Sequence, residues 1–271
     1  MKYVLENTGE SSRLERQSQS ALYDPIVELE GFDVAADHKV LDAGCGSGLV
    51  ARGIAARHPT SHVSGIDASE ARAADARRLA QGLPNVQFRA ADLKMPLHER
   101  YDRIVCRYVL EHMGEADQAA VVANLVGALN PHGRLRLIDV DGYLLNIYPL
   151  TTLVEECLGV FSAIKAHDLF VGRRLALHLV AAGLEDVTWR IQVMQMNEPA
   201  ALAEETQLIT ERFQHTLPAM VQVLGSEAKA TAFQGEYLAL LGRAGTTLFY
   251  NKFIATGKKT PPPGPRLKAV S

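Results

Sequence analysis

The sequence has little of what commits a chain to a specialised class. Its 271 residues include three cysteines and one tryptophan, and the formal net charge is only −3. Cys45, Cys106 and Cys157 lie too far apart for a paired disulfide framework or a C-x-x-C metal knuckle. The nine histidines lack the H-E-x-x-H type of spacing, so no metal is implied. A weakly acidic balance gives no electrostatic reason to expect nucleic acid as the partner. No apolar run approaches the roughly 20 residues that span a bilayer, and the first residues turn polar too soon for a signal-peptide core. Internal repeats are missing as well. These absences predict a cytoplasmic globular protein with neither a membrane nor a nucleic-acid partner.

What is present is one stretch that organises the rest, Val40-Leu41-Asp42-Ala43-Gly44-Cys45-Gly46-Ser47-Gly48. Glycines at alternate positions permit positive φ and remove the Cβ atoms that would hold a bound molecule off the main chain. Leu49, Val50, Ile54 and Ala55 then recur at helical spacing. The pattern is strand, tight loop and helix, with the open N–H groups of the helix start just beyond the loop. It suits an adenosine-type cofactor. The dehydrogenase fingerprint needs a third glycine where this chain has Leu49, and the Gly-Lys-Ser/Thr of a Walker A loop is absent.

Three further stretches follow in order. His62 to Asp67 reads as a second strand whose terminal acid lies nineteen residues past Gly48, where a carboxylate can accept both ribose hydroxyls. Val86 to Leu93 reads as a third strand carrying Asp92, and Tyr101 to His112 as a fourth strand with the turn after it. Taken singly, each acid could be only a helix cap, as Asp67 could be with Ser69-Glu70 behind it. Their joint order and spacing favour binding.

Together the four stretches resemble the motifs of the class I S-adenosylmethionine-dependent methyltransferases, of the bacterial small-molecule type. The resemblance implies an α/β fold: a seven-stranded Rossmann-like sheet, its last strand antiparallel between the fifth and sixth, with helices on both faces and helical lid insertions. It implies S-adenosylmethionine as cofactor and S-adenosylhomocysteine as product. Asp67 would hold the ribose, Asp92 the adenine, the Gly44, Gly46 and Gly48 backbone the methionine portion, and the Arg107 main chain the far side. Asp42, Ala68 and Leu93 complete the expected cofactor set.

Apolar periodicity predicts helices over 71–79, 116–129 and 174–182, and strands over 134–140, 187–193 and 246–256. Residues 1–30 are expected to form an N-terminal helical lid, in which Arg13 or Gln17 could hold the cofactor carboxylate or merely face solvent. Residues 31–257 form the methyltransferase domain, and 258–271 is a Pro-rich tail expected to be flexible. Insertions at about 142–172 and 199–243 interrupt the alternation, and sequence inserted after the carboxyl end of a strand lies over the ligand crevice of an open sheet. They are the expected substrate cover, with Tyr108, Tyr143, Tyr148 and Arg173 as substrate candidates.

A hydroxyl or thiol acceptor profits from a general base near its proton, and His112 and His167 are the two histidines placed for it. Each of these side chains, considered alone, is more often structural. The Asn/Asp-Pro-Pro-Tyr/Phe motif of enzymes that methylate conjugated amino groups is absent, Arg107-Tyr108-Val109-Leu110 standing in its place. The expected reaction is methyl transfer to an oxygen, sulfur or nitrogen atom of a small molecule, in secondary metabolism, by a monomer or homodimer. Three alternatives stay open: a protein of this fold that uses the cofactor only for its charge, an NAD-dependent oxidoreductase, and a non-catalytic interaction domain. Leu49 and Asp92 argue against the second.

Overall fold

Strands covered on both faces are buried along their length, and the first two strands, KVLDA and HVSGID, are buried at every position but the first. The computed structural model describes residues 23–164, 167–196 and 198–261. A four-residue helix, α1 (Pro25–Glu28), leads to β1 (Lys39–Ala43), α2 (Leu49–Arg57), β2 (His62–Asp67), α3 (Glu70–Leu79) and β3 (Val86–Ala90). Next come β4 (Tyr101–Arg107), α4 (Glu115–Gly127), β5 (Leu129–Asp141), β6 (Ile147–Tyr148) and α5 (Thr152–Ser162). The chain continues through α6 (Leu175–Ala181), β7 (Glu185–Gln195), α7 (Pro199–Leu224), α8 (Glu227–Leu241) and β8 (Thr247–Lys258).

The eight-stranded sheet runs β3-β2-β1-β4-β5-β8, with β6 and β7 both paired to β8. The first five strands pair in parallel, and β8 is antiparallel to β5 and β7. The expected antiparallel slot between the fifth and the next long strand is therefore filled by β8. Strand β1 has β2 on one side and β4 on the other, so the order reverses there. In open α/β sheets this switch point opens a crevice beyond the carboxyl ends of the strands. Gly44 to Gly48 and Asp67 stand at that crevice.

Three apolar clusters hold the layers. On one face, Ile104, Leu135 and Leu137 of the sheet pack on Val122 and Leu125 of α4 and Leu179 of α6. On the other, Val105, Ile138 and Ile254 pack with Phe32 and with Val50 and Ile54 of α2. The third cluster joins the 142–147 loop and β8 to α5, α7 and α8 around Phe213, Phe233, Tyr237 and Tyr250. The two insertions thus share a core with each other.

The structure departs from the sequence expectation at several boundaries. Among the described residues a two-residue strand, β6, raises the strand number from seven to eight. The 199–243 segment is two helices, because Gly225 takes φ +74° and Ser226 Oγ then caps the next helix by accepting from Lys229 N at 3.2 Å. Strand β3 stops at Ala90, since Asp92 Oδ1 accepts from Lys94 N at 2.9 Å and turns the chain. The expected tail begins too early at 258: Lys259 donates from its main chain to Gly133 O at 2.9 Å and from Nζ to Val126 O and Leu129 O, each at 2.9 Å. Residues 1–22, with Arg13 and Gln17, and those from 262 onward lie outside the described residues. Among the described residues no helix is long and apolar enough to cross a membrane.

Candidate active site

The glycine loop is shaped by backbone angle and by crowding. Gly44, Gly46 and Gly48 have φ of +78°, +53° and +80°, a region that costs L-residues energy. A Cβ on Gly44 would sit 2.2 Å from Val109 Cγ2, and one on Gly48 2.6 Å from the Phe88 ring. Gly48 therefore serves helix packing as much as any ligand. Gly44 N and Cys45 N both donate to Ile66 O, at 2.7 and 2.9 Å, which ties the loop to the end of β2. Beneath it Asp42, 2% exposed, accepts from Ala51 N of α2 at 3.0 Å. Burial raises its pKa to about 7, against the opposing pull of that N–H and of Arg107.

Asp67 is also buried, at 5% exposure. Its Oδ2 accepts from Gly46 N at 2.9 Å, so the acid reaches the glycine loop as its spacing predicts. Its Oδ1 accepts from Ser69 N and from the guanidinium Nε of Arg72, both at 2.9 Å. Arg72 is a neighbour that sequence reading passed over, although five residues across a helix start lets a long side chain turn back on the acid. Ala68 next to it is exposed, as is Asp92, whereas Leu93 is buried and its carbonyl accepts from Asn124 Nδ2 at 3.0 Å.

At the end of β4, the Arg107 guanidinium lies in a buried ion cluster. It pairs with Glu28 of α1 and donates from Nη2 to Tyr23 O at 2.7 Å. Lys252 of β8 reaches the same carboxylate at 2.7 Å, and Tyr108, at φ +54°, donates its hydroxyl to Glu28 Oε1 at 3.1 Å. Glu28 and Lys252 are both fully buried. The sequence reading missed both, since a single charge in an amphipathic stretch carries no sign of its partner.

The two candidate bases are brought together. The rings of His112 and His167 stack with centroids 5.3 Å apart and planes at 30°. His112 Nε2 lies 3.4 Å from Glu111 Oε1. Burial lowers the pKa of His167, with Glu111 pulling the other way, and so favours the neutral ring that can take a proton. The two turns are joined by Asp168 N donating to Glu111 O at 2.7 Å. Gln118, fully buried, donates to Leu110 O, Met113 O and Asp168 Oδ2 at 3.2, 3.0 and 2.9 Å. Asp139 accepts from Leu110 N and Glu111 N at 3.1 and 3.3 Å, and burial together with the Glu111 charge raises its pKa.

The aromatic and basic candidates divide. Tyr143 is buried, 4.7 Å from the Tyr250 ring, with the Arg212 guanidinium of α7 4.3 Å over its face. Tyr250 in turn donates to the buried Glu205 of α7 at 3.0 Å. Tyr148 does not join this group: it is 71% exposed on β6. Arg173 forks onto Asp141 with contacts of 2.9 and 2.7 Å, which engages its planar face in the fold. Both are expected at the substrate; Tyr148 turns its ring to solvent, and Arg173 is paired with the carboxylate at the end of β5.

A family model described as a methyltransferase domain matches residues 40–133, from β1 to the start of β5. A ubiquinone biosynthesis O-methyltransferase of Pseudomonas syringae pv. tomato is 35% identical over 189 residues, covering 59% of this chain and 79% of the relative. The chain belongs to the class I S-adenosylmethionine-dependent methyltransferases. An uncharacterised protein encoded in a transposon of Streptomyces fradiae is 35% identical over 166 residues, 58% of this chain and 46% of that one. The chain spans about half the length of the curated relatives it first matches, 46% and 56% for two of them. Among solved structures, a cyclopropane synthase of Mycobacterium tuberculosis shares the methyltransferase fold, with a TM-score of 0.61 over 91% of this chain and 88% of its own. At 19% identity that likeness concerns the fold alone.

Proposed function

We propose that this methyltransferase-family chain transfers a methyl group from S-adenosylmethionine to an oxygen, sulfur or nitrogen atom of a small molecule, in secondary metabolism. The observation that carries the reading is the Asp67 carboxylate, held against Gly46 N at the switch point of the sheet. The donor set fits the cofactor: an acid at a strand end for vicinal hydroxyls, beside a loop whose positive-φ glycines present bare backbone. When bound, the cofactor supplies an activated methyl on a positively charged sulfur.

The chain's own residues then position and exclude water. Asp67 accepts from the ribose hydroxyls, and the exposed Asp92 accepts from the adenine amino group, with Ala68 and Leu93 flanking them. The Gly44 to Gly48 backbone admits the methionine portion, and the Arg107 main chain bounds the far side. Tyr108, Tyr143, Tyr148 and Arg173 are the candidates for the acceptor wall. For a hydroxyl or thiol acceptor, a neutral ring of the stacked His112–His167 pair would take the acceptor proton. A small acceptor is supported by the shared core of α5, α7 and α8, which covers this end of the sheet.

The test is calorimetric titration with S-adenosylmethionine, S-adenosylhomocysteine and NAD, on the wild type and on folded Asp67→Ala. The two sulfur ligands bind, NAD does not, and the variant loses affinity by at least about tenfold, as expected for removing charged hydrogen bonds. Binding of NAD in their place overturns the reading. A mass increase of one methyl group on an acceptor, with S-adenosylhomocysteine formed, then checks the transfer itself.

A further inference from the structure

The acid proposed to take the ribose is already engaged by three donors. An ionised carboxylate offers about four lone-pair positions. On Asp67, Oδ1 accepts from Ser69 N and Arg72 Nε and Oδ2 accepts from Gly46 N, all at 2.9 Å. One position remains, and two vicinal hydroxyls need two. One donor must leave.

The two main-chain donors are fixed by the fold. Gly46 N belongs to the loop whose neighbours, Gly44 and Cys45, are tied to Ile66 O. Ser69 is the N-cap of α3, and its hydroxyl accepts from Arg72 N at 3.4 Å. That same bond holds the Arg72 backbone in the first helical turn, so only its side chain can turn away. The guanidinium and the carboxylate are 12% and 8% exposed, so their attraction is only partly screened by water.

Resting on the adenosine cofactor proposed above, we infer that Arg72 is a cofactor-site residue: its guanidinium occupies one ribose position on Asp67 and is displaced when an adenosine ligand with both hydroxyls binds. Arg72 thereby sets cofactor affinity below what Asp67 alone would give. It also keeps the carboxylate compensated in the free protein, where a bare buried charge would be costly.

The experiment is a double-mutant cycle read by calorimetric titration with S-adenosylhomocysteine. Arg72→Met binds about tenfold more tightly than the wild type, the scale of one charged hydrogen bond no longer displaced. In the Asp67→Ala background the same substitution gives no gain, because nothing remains to compete for. A merely structural role for Arg72 would weaken binding in both backgrounds. Should Arg72→Met fail to fold by circular dichroism, Arg72→Gln, which keeps a hydrogen-bonding side chain without the charge, tightens binding in the same direction. Wild-type binding that depends on Asp67 but is unchanged or weakened in the Arg72 variants overturns this inference alone. Absence of binding to the wild type overturns the cofactor reading, and this inference with it.

Discussion

Three aspartates near the carboxyl ends of β1, β2 and β3 have three different surroundings. Asp42 is enclosed, Asp67 is compensated by Arg72 and two main-chain donors, and Asp92 is exposed on a turn. Their spacing was legible in the sequence because each stands near the end of a stretch that reads as a strand. Their environments were not, because burial depends on what α2 and α3 lay over them. For Asp42 the difference is measurable. Its pKa, raised to about 7 by burial, means the folded protein keeps a proton that the unfolded chain releases near pH 4. Native protons then exceed unfolded protons across that window, so its contribution to stability falls as pH rises and levels off above the folded pKa. Asp42→Asn keeps an acceptor for Ala51 N and removes the titration. In urea denaturation from about pH 5 to about pH 8, the variant gains on the wild type by up to roughly 1.4 kcal/mol per pH unit until about pH 7, then runs parallel. Parallel curves throughout would contradict a buried, protonated Asp42.

A four-residue helix such as α1 has no stability of its own. Asp24 caps it, accepting from Ile26 N at 2.7 Å, and Pro25 presets its first turn. Its place on the sheet depends on the fully buried Glu28, which faces Arg107, Lys252 and Tyr108. Glu28→Gln leaves two cations buried without their counter-charge, and the expected loss is about 3 kcal/mol. Urea denaturation reads it as a lower midpoint at unchanged slope. A loss under about 0.5 kcal/mol, the scale of a surface substitution, would show that packing alone holds α1. Most elements were legible from apolar period, to within a residue or two for α2, β1 and β2. The break at Gly225 was harder to see, because the apolar stripe continues across it from Met220 to Phe233. β6 is too short to carry a period at all.

At the scale of the whole molecule, a ligand that binds only the folded state stabilises it by mass action. S-adenosylhomocysteine at about a hundredfold above its dissociation constant is expected to add about 2.7 kcal/mol to the unfolding free energy. NAD at the same concentration leaves the thermal midpoint unchanged, and an equal shift from both would deny the site its selectivity. What the sequence by itself determined was the alternation of strands and helices, the glycine loop and the order of the acids behind it. These rest on local rules: side-chain period, positive φ and strand-end position. Tertiary structure decided which side chains share a space. It stacked His112 on His167, set Arg72 on Asp67, joined Glu28 to Arg107 across 79 residues, and paired Arg173 with Asp141. Such partnerships arise when separate elements are packed together, and their energies depend on a burial that no single stretch of chain encodes.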